Sequence, residues 1–140
     1  MRPLGVLSSV YAVVITAGLG IWGCSGGADQ PDNELMAGQT LDVVSPSGRA
    51  TGHVRADGER IVEGKNALLV DFEPASTELV TVSALMPVHG HGIDPPSVSK
   101  TSTGYRVTDV TFSMPGLWDV FLDVRLDGAA DRIEFTVDVP

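Results

Sequence analysis

Two histidines separated by a single glycine, in "LMPVHGHG" from Leu85 to Gly92, are the residues of this chain best suited to chemistry. Gly90 between His89 and His91 leaves the backbone free to turn both imidazoles toward one point. Imidazole suits copper or zinc and thioether sulfur favours Cu(I). Met86, just ahead of the turn, and Met114, in "FSMPGLW", therefore join His89 and His91 as a candidate ligand set for a soft or borderline metal. The same four residues also have an architectural reading. Methionines that continue apolar strand faces commonly fill gaps in a core, and turn histidines can be solvated or bond backbone carbonyls. His53, alone in "ATGHVRAD", reads as an exposed strand residue.

Other chemistry finds no foothold in the residue pattern. The sequence has one cysteine, no serine in a nucleophile-elbow pattern, no glycine-rich phosphate loop, no zinc-protease helix motif and no paired CxxC. Carboxylates are numerous but fall mostly on outward strand positions, where solvated charge is the ordinary state. The chain is read as non-enzymatic, with catalytic residues assigned to none of its positions.

The elements that must position Met86, His89, His91 and Met114 are strands. From Thr40 onward apolar residues recur with period two, and no stretch of roughly ten residues shows a helical period. Ile133, Phe135, Val137 and Val139 alternate with Arg132, Glu134, Thr136 and Asp138. Trp118, Val120, Leu122, Val124 and Leu126 alternate in the same way, with Phe121 interrupting the polar face. Between these runs Asp127 and Gly128 supply the dipeptide expected of a hairpin. Further strands are expected at Leu41 to Val44, around His53, at Ala67 to Phe72, at Leu79 to Met86 and at Tyr105 to Phe112. In the Leu79 to Met86 run, Val80, Val82, Ala84 and Met86 are expected to share one face, and Pro87 to end the ladder, leaving "VHGHG" as a loop. About seven short strands and no helix predict an all-β fold, an immunoglobulin-like antiparallel β-sandwich. A sheet with one apolar face has to cover it, and here only a second sheet can do so.

Ahead of this domain, Arg2 and the apolar run from Val6 to Trp22 form a signal peptide over residues 1–23. A helix of roughly 17 residues rises only about 25 Å, short for a bilayer core of roughly 30 Å. The polar, glycine-rich and aspartate-rich residues 24–39 read as a flexible tether, and 40–140 as the domain. "IWGC" resembles the lipobox of bacterial lipoproteins, which makes Cys24 the expected site of lipidation. Acylation would tether the domain to a membrane, since each buried methylene contributes about 0.8 kcal/mol. Ser25 after the cysteine resembles the pattern of retention at the periplasmic face of the outer membrane in a two-membrane bacterium; in a one-membrane bacterium the anchor would face outward. With no second cysteine, a disulfide within the chain is impossible.

Without residues 1–23 the chain has 8 basic and 18 acidic residues, a net charge of −10. That excludes a basic footprint for nucleic acid and a polybasic patch for anionic lipid. About 115 mature residues fit one domain with one core.

The region from "EGKNALLVDF" to the end is similar to the YtkA-like family, related in kind to FixH-type accessory proteins. The resemblance is carried, in order, by "GKN" (Gly64 to Asn66), "MPVHGHG" (Met86 to Gly92), "TGYRV" (Thr103 to Val107) and "FSMPGLWDVFLDV" (Phe112 to Val124). It implies an exported or membrane-attached β-sandwich with an accessory role around copper or respiratory-oxidase assembly. In the family the first methionine motif often reads methionine, proline, any residue, methionine, glycine, histidine. Here Met86 and His91 match while His89 takes the second methionine's place, which shifts the expected site toward mixed imidazole and thioether ligands able to take Cu(II) or zinc. Two functions are thus expected of an anchored envelope protein: binding or delivering copper through the Met/His loop, or serving as an adaptor for an envelope or respiratory-assembly protein partner, with the histidines incidental.

Overall fold

The computed structural model describes residues 34–36 and 38–140. The signal segment, Cys24 and most of the 24–39 tether lie outside the described residues. The described chain is all-β and forms ten strands: β1 (Glu34–Leu35), β2 (Thr40–Val44), β3 (Thr51–Ala56), β4 (Gly64–Glu73), β5 (Glu78–Met86), β6 (His91–Gly92), β7 (Ser97–Lys100), β8 (Tyr105–Phe112), β9 (Gly116–Leu126) and β10 (Ala129–Val139). They make two five-stranded sheets, ordered β1-β10-β9-β5-β6 and β2-β3-β4-β8-β7. All pairings are antiparallel except β1 with β10, which is parallel.

The two sheets face each other across a core built from their alternating inward positions. From one come Trp118, Val120, Leu122, Val124, Ile133, Phe135, Val137 and Val139; from the other Val43, Val54, Leu68, Val70, Val107, Val110 and Phe112. Each such side chain contributes about 1.5–3 kcal/mol on burial. Trp118 is fully buried, and its ring centroid lies 5.3 Å from that of Phe112 at 53°, which joins the two sheets by an aromatic contact. On the outer face Phe121, the residue that broke the polar alternation, lies half-buried under Arg132, whose guanidinium carbon is 5.5 Å from the ring centroid.

The seven strands expected from the alternation correspond to β2, β3, β4, β5, β8, β9 and β10. The β9–β10 connection is the tight turn foreseen at Asp127 and Gly128, both with positive φ (50° and 79°), as a type I′ hairpin requires. Three short strands had no sequence signal of their own. Glu34 and Leu35, placed in the tether by sequence reading, pair with Thr136 and Val137, and Leu35 is fully buried in the core.

Two bulges shift the alternation. On β5, Leu79 pairs with Val124 and Thr81 with Asp123, so Val80 is an extra residue. Consequently Leu79 is buried and Val80 is 44% exposed, which corrects the expectation that Val80 shares the inward face with Val82, Ala84 and Met86. On β8 the register with β4 shifts between Asn66 and Leu68, and Asp109 there adopts φ 62°.

Candidate metal centre

Beyond the bulge, Val82, Ala84 and Met86 point inward as β5 runs to one end of the sandwich. Pro87 follows and the chain turns. The Met86 carbonyl accepts from the His89 and Gly90 amides at 3.3 and 2.8 Å, and Gly90 takes φ 67°, a left-handed conformation that a β-carbon would strain. The chain then returns as β6, with His91 paired to Met86 and Gly92 to Leu85. The segment expected to be a loop is therefore a hairpin, in which His89 lies on the turn and His91 on a hydrogen-bonded strand residue.

This hairpin sets the imidazoles of His89 and His91 side by side, centroids 6.2 Å apart and planes tilted 42°. Both are exposed. Two imidazoles bound to one ion at about 2.0–2.1 Å as tetrahedral or adjacent square-planar ligands would hold their centroids roughly 4.5–5.5 Å apart, so the rings, 6.2 Å apart, would have to close by about an ångström to share an ion.

The methionines are placed differently. Met86 is 3% exposed, and a β-carbon built on Gly116 would lie 3.2 Å from its Cε, so the thioether methyl packs against the start of β9. Met114, in the turn before β9, is half-buried against the core, and its carbonyl accepts from Trp118 Nε1 at 3.1 Å. The strand ends carrying the four candidates thus meet at one end of the molecule, but only the two imidazoles are presented to solvent. Among the described residues no group of three or more His, Cys, Asp or Glu side chains is placed to hold an ion. An ion on His89 and His91 would leave its remaining positions to water, to a thioether or to a partner's donor.

His53 is remote from this site in sequence and sheet. It is exposed on β3, with Nδ1 2.6 Å from Asp42 Oδ1 on the neighbouring strand. No family model matches the chain, and neither the curated proteins nor the solved structures contain a match to it.

Sequence reasoning passed over an apolar collar beside the histidines. Leu85 (39% exposed), Val88 (82%) and Leu117 (53%) are at the same end of the molecule. The signal was present: Leu85 and Leu117 occupy the outward phase of strands whose other outward residues are largely polar.

Proposed function

We propose that this is a lipid-anchored, non-enzymatic envelope protein that binds or delivers a borderline metal, copper above all, at the β5–β6 hairpin. The observation that carries this reading is the juxtaposition of His89 and His91 at 6.2 Å on an exposed turn held by the Met86 carbonyl. A two-imidazole site with open positions suits an ion that is to be passed on more than one kept for structure, because structural sites are closed by four protein ligands. Met86 ends the strand that leads into the hairpin and packs against Gly116, two residues after Met114; these two are the candidate thioethers. The ordered YtkA-like motifs support the same accessory role, and the lipobox-like "IWGC" supports anchoring through Cys24. Among the described residues no helix is long and apolar enough to cross a membrane.

The test is copper titration of the full chain and of a His89→Ala, His91→Ala double variant. The expected result is one Cu(II) bound by the wild type and loss of that site in the variant. Unchanged stoichiometric uptake by the double variant would refute the assignment.

A second reading is favoured by the exposed Leu85, Val88 and Leu117, which suit contact with a protein partner. An adaptor of this kind would retain its partner in the double histidine variant and lose it when Val88 is replaced by aspartate.

A further inference from the structure

The hairpin after β5 stands clear of the sandwich. Pro87 to Gly92 are exposed without interruption, Val88 is 82% exposed, and a β-carbon on Gly90 would meet nothing within 4 Å. Another molecule can therefore reach both histidines. His91 pairs with Met86, so its side chain leaves the hairpin on the face that Met86 occupies, whereas Leu85 and Leu117 face outward from the sheet. The apolar Leu85 and Leu117 are thus on the opposite face from the His91 imidazole, and Val88 is the one large apolar side chain of the turn itself.

An ion held by these imidazoles alone is short of donors. A closed tetrahedral zinc site takes four protein ligands, and His89 and His91 supply two. Among the described residues no further His, Cys, Asp or Glu joins them in a group of three. Met86 is 3% exposed and Met114 packs against the core, so neither sulfur stands free at the tip. The missing donors have to come from solvent or from a second molecule.

Symmetry and charge point to which molecule brings them. A two-fold contact sets each residue of a patch against the same patch on the other copy. Two exposed imidazoles brought to such an axis become four imidazoles around one ion, which is a complete ligand set. The mature chain carries a net charge of −10, so two copies repel in general. From Leu79 to Ile93, however, there is no Asp, Glu, Lys or Arg. Asp94 follows the hairpin, and Asp119 stands opposite Leu85 on the outer face. Tip to tip, two copies can meet without like charges in contact, and a divalent ion between them offsets the repulsion of the rest. Without the ion the contact is too small, since stable interfaces use roughly 20–30 residues a side. Pairing is therefore conditional on the ion.

We infer that one divalent ion joins two copies of this chain tip to tip, with His89 and His91 of each copy as its four ligands. The inference rests on the reading of His89 and His91 as a metal site and adds the donors that complete it. When ions outnumber chains, each hairpin takes an ion of its own and the pair separates. The dimer is then the form in which a scarce ion is held closed, and the single chain the form with open positions from which an ion can be passed on.

The test is sedimentation velocity of the full chain at increasing Zn(II), in a density-matched zwitterionic detergent with micelles in excess over chains. Zinc serves as the probe because it has no redox chemistry and takes four ligands tetrahedrally. The chain should be monomeric without zinc and dimeric at about half an equivalent, and should return toward monomer in several-fold excess. X-ray absorption of the dimer should show four imidazole nitrogens at about 2.0–2.1 Å from zinc. His89→Ala and His91→Ala, each at an exposed position, should each abolish the dimer. A chain that binds zinc but stays monomeric at half an equivalent would overturn the inference and leave the metal reading standing. A dimer that forms without zinc, survives in either variant or has fewer than four imidazoles on its ion would overturn it as well. Absence of any zinc binding would also sink it, and the Cu(II) titration of the double histidine variant would then decide the metal reading separately.

Discussion

Met86 stands where the core ends and the hairpin begins, and two roles compete for its sulfur. Its 3% exposure and the packing of its methyl on Gly116 are those of a side chain that fills space. If packing is its role, Met86→Leu conserves volume and apolarity and should cost less than about 1.5 kcal/mol in urea unfolding. Cu(II) uptake by His89 and His91 should then be unchanged, as followed by titration under oxidising conditions. Loss of Cu(II) binding in this variant would instead assign the sulfur as a ligand. The inward direction of Met86 was legible from Val82 and Ala84, four and two residues earlier on the same strand. That of Val80 was not, because a bulge adds one residue without any change in composition, and period-two counting across it assigns the wrong face. The meeting of the imidazoles was legible only as a possibility of spacing. Their 6.2 Å separation depends on the turn that the Met86 carbonyl closes, and that hydrogen bonding has no unique sequence signature.

Among the elements, β4 shows how a strand start is fixed by one side chain. Asn66, at the end of "GKN", donates through Nδ2 to the Val62 and Gly64 carbonyls at 2.7 and 2.8 Å, and its Oδ1 accepts from the Val62 amide at 2.9 Å. The segment before β4 is thereby pinned to the strand, next to the position where β8 bulges at Asp109. Removing the amide leaves part-buried backbone groups unpaired, so Asn66→Ala should destabilise the fold by about 1–3 kcal/mol in urea unfolding. Asn66→Asp keeps the acceptor for the Val62 amide but sets an anionic oxygen against the Val62 and Gly64 carbonyls, and should cost at least as much as Asn66→Ala. A cost indistinguishable from that of an exposed surface substitution would show that water replaces these bonds freely. The longer strands were readable because each carries several apolar residues in register with the pleat. "EL", "HG" and "SVSK" offer one, none and one apolar position respectively, too few for a period to emerge, although Leu35 belongs to the core.

For the molecule as a whole, the stacking of two sheets without a disulfide places nearly all cohesion in the apolar core, which does not titrate. Electrostatic ties between the sheets are few, and the clearest joins the β2–β3 turn to β10. The Ser47 hydroxyl donates to Asp131 Oδ2 at 2.6 Å and the Ser47 amide to the same oxygen at 3.3 Å, while Ser45 Oγ, 3.2 Å from Ser47 Oγ, accepts from the Ala50 amide at 3.2 Å. The Ser47 hydroxyl, aided by the Arg132 amide, holds the Asp131 carboxyl below the ordinary aspartate value against a slight desolvation in the other direction. A carboxyl with a depressed native pKa stabilises the fold fully above its unfolded value of about 3.9, and that contribution is lost as pH falls through the lower native value. Because the Ser47–Asp131 contact is exposed to solvent, the tie should contribute only about 0.5 kcal/mol or less. Asp131→Ala should therefore unfold slightly earlier than the wild type in urea at pH 7 and at pH 5, with a difference that is the same at both. The two proteins should converge only as pH drops below about 3.9. A gap that closes between pH 7 and pH 5 would place its origin in another titrating group, and a gap that persists at the acid end would mean that the Ser47 contact does not require the carboxylate charge.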